Sequence, residues 1–165
     1  MRLEPPLREL GQFVVMFQAV EATMVDLIIQ LCDSDPEYVA ALTAELEFTA
    51  KSRALDVIFS RFAQIHRLCD GSPHREFHSL MVRVKKLAER RNELVHSFHN
   101  TLITVDGQLG MMRLPTRLLP SKGLRQQEHE DILSPTLSAD LQEMDNICSE
   151  LWEYRRLVIA TMTPH

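Results

Sequence analysis

Arg91, Asn92 and His96 stand together in the stretch Arg91-Asn92-Glu93-Leu94-Val95-His96, and their types and spacing suit acid–base work on an anion. A histidine can take or return a proton at physiological pH. An arginine keeps its charge, and its fork of donors matches the oxygens of a phosphate. Asn92, four residues before His96, shares a helical face with it and could position the imidazole or the anion. Two further charges enter through a helical projection, which advances about 100° per residue. Arg91 falls on the centre of a stripe made by Val84, Leu87, Leu94 and Phe98. Glu21 falls beside Phe17, Met24 and Ile28, and Lys51 falls in line with Ile58 and Ile65. A charge on a buried stripe must pair or reach water. The expected pair is Glu21 with Arg91, the acid orienting the arginine, while Lys51 takes a supporting part or snorkels. Around one helix Arg91 and His96 diverge by about 140°. A two-fold pairing of two such helices would bring both copies to a shared cleft, so the geometry favours a site built by two subunits.

Other constellations carry less. His66, Cys69, His74 and His78 flank a helix–helix turn at three-, five- and four-residue steps, and imidazoles with a thiolate suit zinc, yet no acid stands by to orient them. No metal and no cofactor is expected. Ser, His and Asp residues occur without a nucleophile elbow to frame them. Glu128, Glu130 and Asp131 read as solvated loop acids, and Trp152 and Tyr154 as core or subunit contacts. The run Arg83, Lys85, Lys86, Arg90 and Arg91, opposed by Glu89, reads first as a solvated helix face. The formal net charge of −5 argues against a broad nucleic-acid surface but not against a local one.

The hexapeptide Arg91–His96 resembles the signature of the HEPN superfamily: an arginine, often followed by Asn, Asp or His, with four to six residues before a histidine. Here four intervene and Asn92 fills the polar position. The looser likeness covers most of the chain, since family members are similar helical bundles with the motif near the end of the third main helix. The segment Gly11–Glu21 is also similar in style to related bacterial proteins. The resemblance implies metal-independent cleavage of RNA by the substrate's own 2′-hydroxyl, with Arg91, Asn92 and His96 at the motif positions. Glu21 and Lys51 are additions from the projection. The resemblance further implies a homodimer across the third helix, an RNA substrate, and a protein antitoxin or regulatory partner in a toxin or host-defence setting. The alternative reading is a non-catalytic helical interaction or regulatory module, antitoxin-like in character.

Helices must position these residues. The recurrence of Leu10, Phe13, Val14, Phe17, Val20, Met24, Ile28 and Leu31 at three- and four-residue steps predicts a first helix from Pro5-Pro6 to about Cys32. Asp33-Ser34-Asp35-Pro36 ends it and opens a short turn over 37–42. A second long helix is expected from about Thr43, as N-cap, to Leu68, with Asp70-Gly71 stopping it. Ser72-Pro73 starts a third that runs to about Asn100. Asp106-Gly107 between apolar flanks predicts a two-stranded hairpin over 101–114. A polar excursion follows over 115–134, and the last helix opens at Ser134-Pro135 or Ser138. The expected fold is therefore all-α: an antiparallel four-helix bundle with a small β-hairpin between its third and fourth helices, in a single domain over 1–165.

Composition agrees. Five glycines in 165 residues are too few for a many-turned β fold or a Gly-rich phosphate loop. Three scattered cysteines imply no disulfide framework, which makes a reducing cytoplasm the expected location. Met1-Arg2-Leu3-Glu4-Pro5-Pro6 does not open like a signal peptide. The apolar stretch 13–32 is broken by Gln18, Glu21, Asp26 and Gln30, so it reads as an amphipathic helix, with no membrane partner expected.

Overall fold

A computed structural model describes residues 4–68, 73–115, 118–119, 123–125, 128–133 and 136–163. The chain is mainly α. Among the described residues five helices run in the order α1 (Glu4–Cys32), α2 (Pro36–Ala44), α3 (Phe48–Ile65), α4 (Pro73–Val95) and α5 (Ser138–Met162). Between α4 and α5 lie β1 (Phe98–Ile103), β2 (Leu109–Leu114), β3 (Leu118–Leu119), β4 (Leu124–Arg125) and β5 (Glu130–Ile132). The chain's contacts gather into two compact units: Met1–Phe17 with Glu89–Glu143, and Gln18–Ala88 with Met144–His165.

The second unit is helical. It takes α1 from Gln18 onward; the helix begins in the first unit, with Pro5 and Pro6 in its first turn, where an absent N–H has no helical partner to lose. By length and composition Pro6–Cys32 would pass for a membrane-crossing helix, yet Val20, Met24, Leu27 and Ile28 are buried. From α3, Leu55, Phe59 and Phe62 are buried, as are Phe77, Leu80 and Val84 of α4 and Met144, Ile147, Leu151 and Val158 of α5. Phe59 stacks on Phe77 with centroids 4.0 Å apart, and the Tyr154 ring meets both edge-on at 5.1 and 4.8 Å. Such aromatic geometry stabilises beyond the area it buries.

The second helix departs from expectation. α2 is longer than a turn and separate from α3. Asp35 caps it, its carboxylate accepting from the Glu37 N–H at 2.9 Å. Thr43 is not an N-cap. It lies inside α2, buried, with its hydroxyl donating to the Val39 carbonyl at 2.9 Å. The break at 45–47 has a reason in phase. Val39 and Thr43 are the buried side of α2, while Ser52, Leu55, Phe59 and Phe62 are buried from α3. One continuous straight helix would turn these two faces about 160° apart. Ile65, placed on the stripe by projection, is exposed. The expected stops and caps at Asp70-Gly71, Ser72 and Ser134-Pro135 lie outside the described residues.

In the first unit, the hairpin is present but earlier and larger than expected. α4 ends at Val95, and Phe98, assigned to its apolar stripe, instead opens β1 and is exposed. β1 pairs antiparallel with β2 from Phe98↔Leu114 to Ile103↔Leu109. Gly107 takes a positive φ of 79° in the connecting turn, as an Asp-Gly turn requires. β5 then adds a third strand to β2, through Met111↔Ile132, Met112↔Asp131 and Arg113↔Glu130. β3 and β4 form a separate two-stranded ribbon.

Candidate functional site

Arg91, Asn92 and His96 all belong to the unit that holds the sheet. Arg91 is half-buried near the end of α4. Its guanidinium carbon lies 5.8 Å from the ring centroid of the buried Phe17, a cation–π arrangement that shelters one face of the group. Nη1 of the same guanidinium donates to Oδ1 of Asn92 at 3.2 Å. Asn92 is exposed, as is His96, which follows the last residue of α4 and donates its backbone N–H to the Asn92 carbonyl at 3.0 Å. Arg91 and Asn92 are thus joined directly, and the peptide of His96 is tied to Asn92 through the last helical turn.

Glu21 and Lys51 lie in the other unit and bind each other: Lys51 Nζ donates to Glu21 Oε1 at 2.6 Å. The expected partner of Glu21 was Arg91. Lys51 takes that place because it points from the buried side of α3, where its residue is only 8% exposed, and an unpaired ammonium there would be costly. The pair links α1 to α3 within the helical unit.

A further charge cluster joins Arg90 and Glu130, both read from the sequence as solvated charges, with Arg113 and Asp140, which that reading did not single out. Arg90 makes a two-pronged bond to Glu130, Nη1 to Oε2 at 2.8 Å and Nη2 to Oε1 at 2.6 Å. Its Nε donates to Asp140 Oδ2 at 3.0 Å, at the start of α5. Arg113 of β2 donates from Nε to the same Glu130 at 2.7 Å. Glu130 was expected to be a solvated loop acid. As the register neighbour of Arg113 on β5, it is instead the shared carboxylate of two arginines. The hydrogen bond from Arg90 is the first cause holding the Glu130 carboxyl below the usual range, against an opposing effect of burial. The same bond leads in raising the Arg90 pKa. The sequence shows only the separate charges Arg90, Arg113, Glu130 and Asp140, whose pairing needs the register of β2 and β5 to be read.

Beside Arg113 on β1 stands His99. Burial first, and then the charge of Arg113, depress its pKa. Its Nε2 is buried without a hydrogen-bond partner. The imidazole is therefore biased towards its neutral form, unsuited to greet another cation. His99, Arg113 and Glu130 form one row across the three strands, with Arg90 clasping the far end.

The remaining sequence candidates disperse. Asp56 Oδ2 lies 2.7 Å from His78 Nδ1, joining α3 to α4. His66 and His74 are exposed, and Cys69 lies outside the described residues. Among the described residues no three His, Cys, Asp or Glu side chains converge as metal ligands would. Cys32 and Cys148 are free thiols.

Comparisons with protein-family models, with curated proteins and with solved structures return no match.

Proposed function

We propose that this chain is a HEPN-like, dimeric, metal-independent endoribonuclease of the cytoplasm, folded on a four-helix scaffold. The observation that carries the reading is the Arg91–Asn92 bond with an exposed His96 one helical turn beyond it. In the reaction, the ribose 2′-hydroxyl attacks its own phosphorus and the bond to the 5′-oxygen breaks. A 2′,3′-cyclic phosphate and a 5′-hydroxyl result. The 2′-hydroxyl loses a proton and the departing 5′-oxygen gains one; His96 carries one of these transfers and solvent water the other. Arg91 neutralises the charge that gathers on the phosphoryl oxygens, and its stacking on Phe17 presets its orientation. Asn92 steers the guanidinium.

The test is incubation of the purified protein with mixed RNA in EDTA. Cleavage leaving cyclic-phosphate ends is expected. In His96→Ala it should fall by about 100-fold or more, the scale of a lost general acid or base, with the circular dichroism spectrum and Tm of the wild type. Absence of cleavage, or a His96→Ala protein as active as the wild type, removes the reading.

A non-catalytic interaction module is the second reading. Favouring it, Arg90 and Arg113 are already neutralised by Glu130 and Asp140, which leaves less free positive charge for a polyanion on a chain of net charge −5.

A further inference from the structure

The helical unit carries two exposed apolar stripes of opposite electrostatic character. On α2, Tyr38 and Leu42 are 71% and 77% exposed, and Leu46, just past its end, continues the row at four-residue spacing. Buried Val39 and Thr43 occupy the opposite side. The segment 33–47 holds Asp33, Asp35, Glu37, Glu45 and Glu47 and no lysine or arginine. On α3, Val57 and Ile65 are 70% and 60% exposed, with Arg61 between them at the same four-residue steps. These three residues border an open groove of about 630 Å³ whose apolar wall includes Leu31, Phe62 and Met162, and whose lining also holds one acid, Asp33. Arg53 and Arg67 are exposed beyond its two ends.

Each row spans nine residues; the second covers about 12 Å of α3, and the first is one turn of α2, Tyr38 to Leu42, with Leu46 beyond the helix end. The first is apolar along its row and flanked by acids; the second holds Arg61 between Val57 and Ile65, with Arg53 and Arg67 beyond them, so its predominant sign is basic. Whichever way two such helices run, an acid at each end meets a base. Apolar surface of this kind, rimmed by charge, marks an interaction site, and the sign match selects the occupant.

We infer that the α3 groove receives the α2 stripe of a second copy of this chain, Tyr38, Leu42 and Leu46 filling the space between Leu31, Val57 and Ile65 with Leu42 along the aliphatic stem of Arg61, while Glu37 at one end and Glu45 and Glu47 at the other face Arg53 and Arg67. The inference uses neither Arg91 nor His96 and holds whether or not the chain cleaves RNA.

Analytical ultracentrifugation of four samples tests it: wild type, Leu42→Asp, Val57→Asp, and an equimolar mixture of the two variants. Both substituted residues are mostly exposed, so folding is retained, which the circular dichroism melting curve of each variant checks. Wild type should associate with concentration, and less so in high salt, because exposed opposite charges are screened. Either variant should weaken this step about tenfold or more, leaving only whatever association another surface supports. The mixture should regain it, because one copy keeps an intact stripe and the other an intact groove. Three outcomes overturn the inference: a wild type with no association beyond that of the variants, variants that assemble like the wild type, or a mixture that behaves as the sum of its parts. A groove that instead takes a different protein or a membrane would give the first of these.

Discussion

With Glu130 replaced by glutamine, Arg90 and Arg113 would face each other across a neutral amide. In the native chain the carboxylate accepts from both, at 2.6 to 2.8 Å. Charge-assisted bonds of this kind contribute about 1.5–3 kcal/mol each when a partner is removed. Because Glu130 keeps 27% of its side chain exposed, Glu130→Gln should cost about 2 kcal/mol in urea unfolding at neutral pH. The sign of the pH dependence follows from linkage. The native pKa of Glu130 lies below the unfolded value, so its contribution is complete above the ordinary carboxylate range and disappears as pH falls through the lowered value. The gap between variant and wild type should therefore close on acidification. A gap that stays constant with pH would mean that Glu130 acts by shape and not by charge. Arg91 offers a contrast at the same scale: its guanidinium meets an aromatic ring and a neutral amide, so it retains a charge that no carboxylate in these contacts cancels.

Among the elements, β2 shows how little slack the sheet has. A Cβ on Gly110 would sit 2.7 Å from Leu133 Cδ2 and 2.9 Å from the Ile132 carbonyl oxygen. The first atom is the far end of a side chain and can turn aside, but the second is backbone of the strand paired with β2. Gly110→Ala should destabilise by about 1–3 kcal/mol and speed amide exchange selectively in β2 and β5; an unchanged Tm and exchange pattern would show that β5 is not held this closely. Much of this architecture can be read from residues alone. The three- and four-residue steps from Leu10 to Leu31 define α1, and Asp106-Gly107 defines the β1–β2 turn. The gap between α2 and α3 cannot be read so, because Glu45, Leu46 and Glu47 are good helix formers and include no glycine or proline. It arises from two buried faces out of phase, a tertiary demand. β5 is equally hidden: Glu130-Asp131-Ile132 has the composition of a loop and becomes a strand only by pairing with β2. The candidate site divides along the same line. The hexapeptide is local and visible, whereas the Arg90–Glu130–Arg113 clasp depends on register across 40 residues of chain.

At the scale of the whole molecule, the question is how many chains make one site. Arg91 and His96 point apart by about 140° on helical geometry, and in the structure Arg91 turns to Phe17 while His96 stands exposed beyond the helix end. A ribonuclease that needs both groups on one phosphate would therefore draw them from two copies. Complementation separates this from a single-chain site. Arg91→Ala and His96→Ala chains, co-expressed with different tags and isolated as the mixed dimer, each lack one group. If the site takes Arg91 from one copy and His96 from the other, the mixed dimer keeps one complete site of two and should cleave at roughly half the wild-type rate, although each variant alone is inactive. If one chain supplies both groups, both sites of the mixed dimer are broken and it should be as inactive as its parents. Folding differences cannot imitate recovery, because neither chain acts without the other. Activity per chain should also fall on dilution below the dimer dissociation constant, and a rate per chain independent of concentration, together with a dead mixed dimer, would place the chemistry within one subunit and remove the reason for pairing across α4.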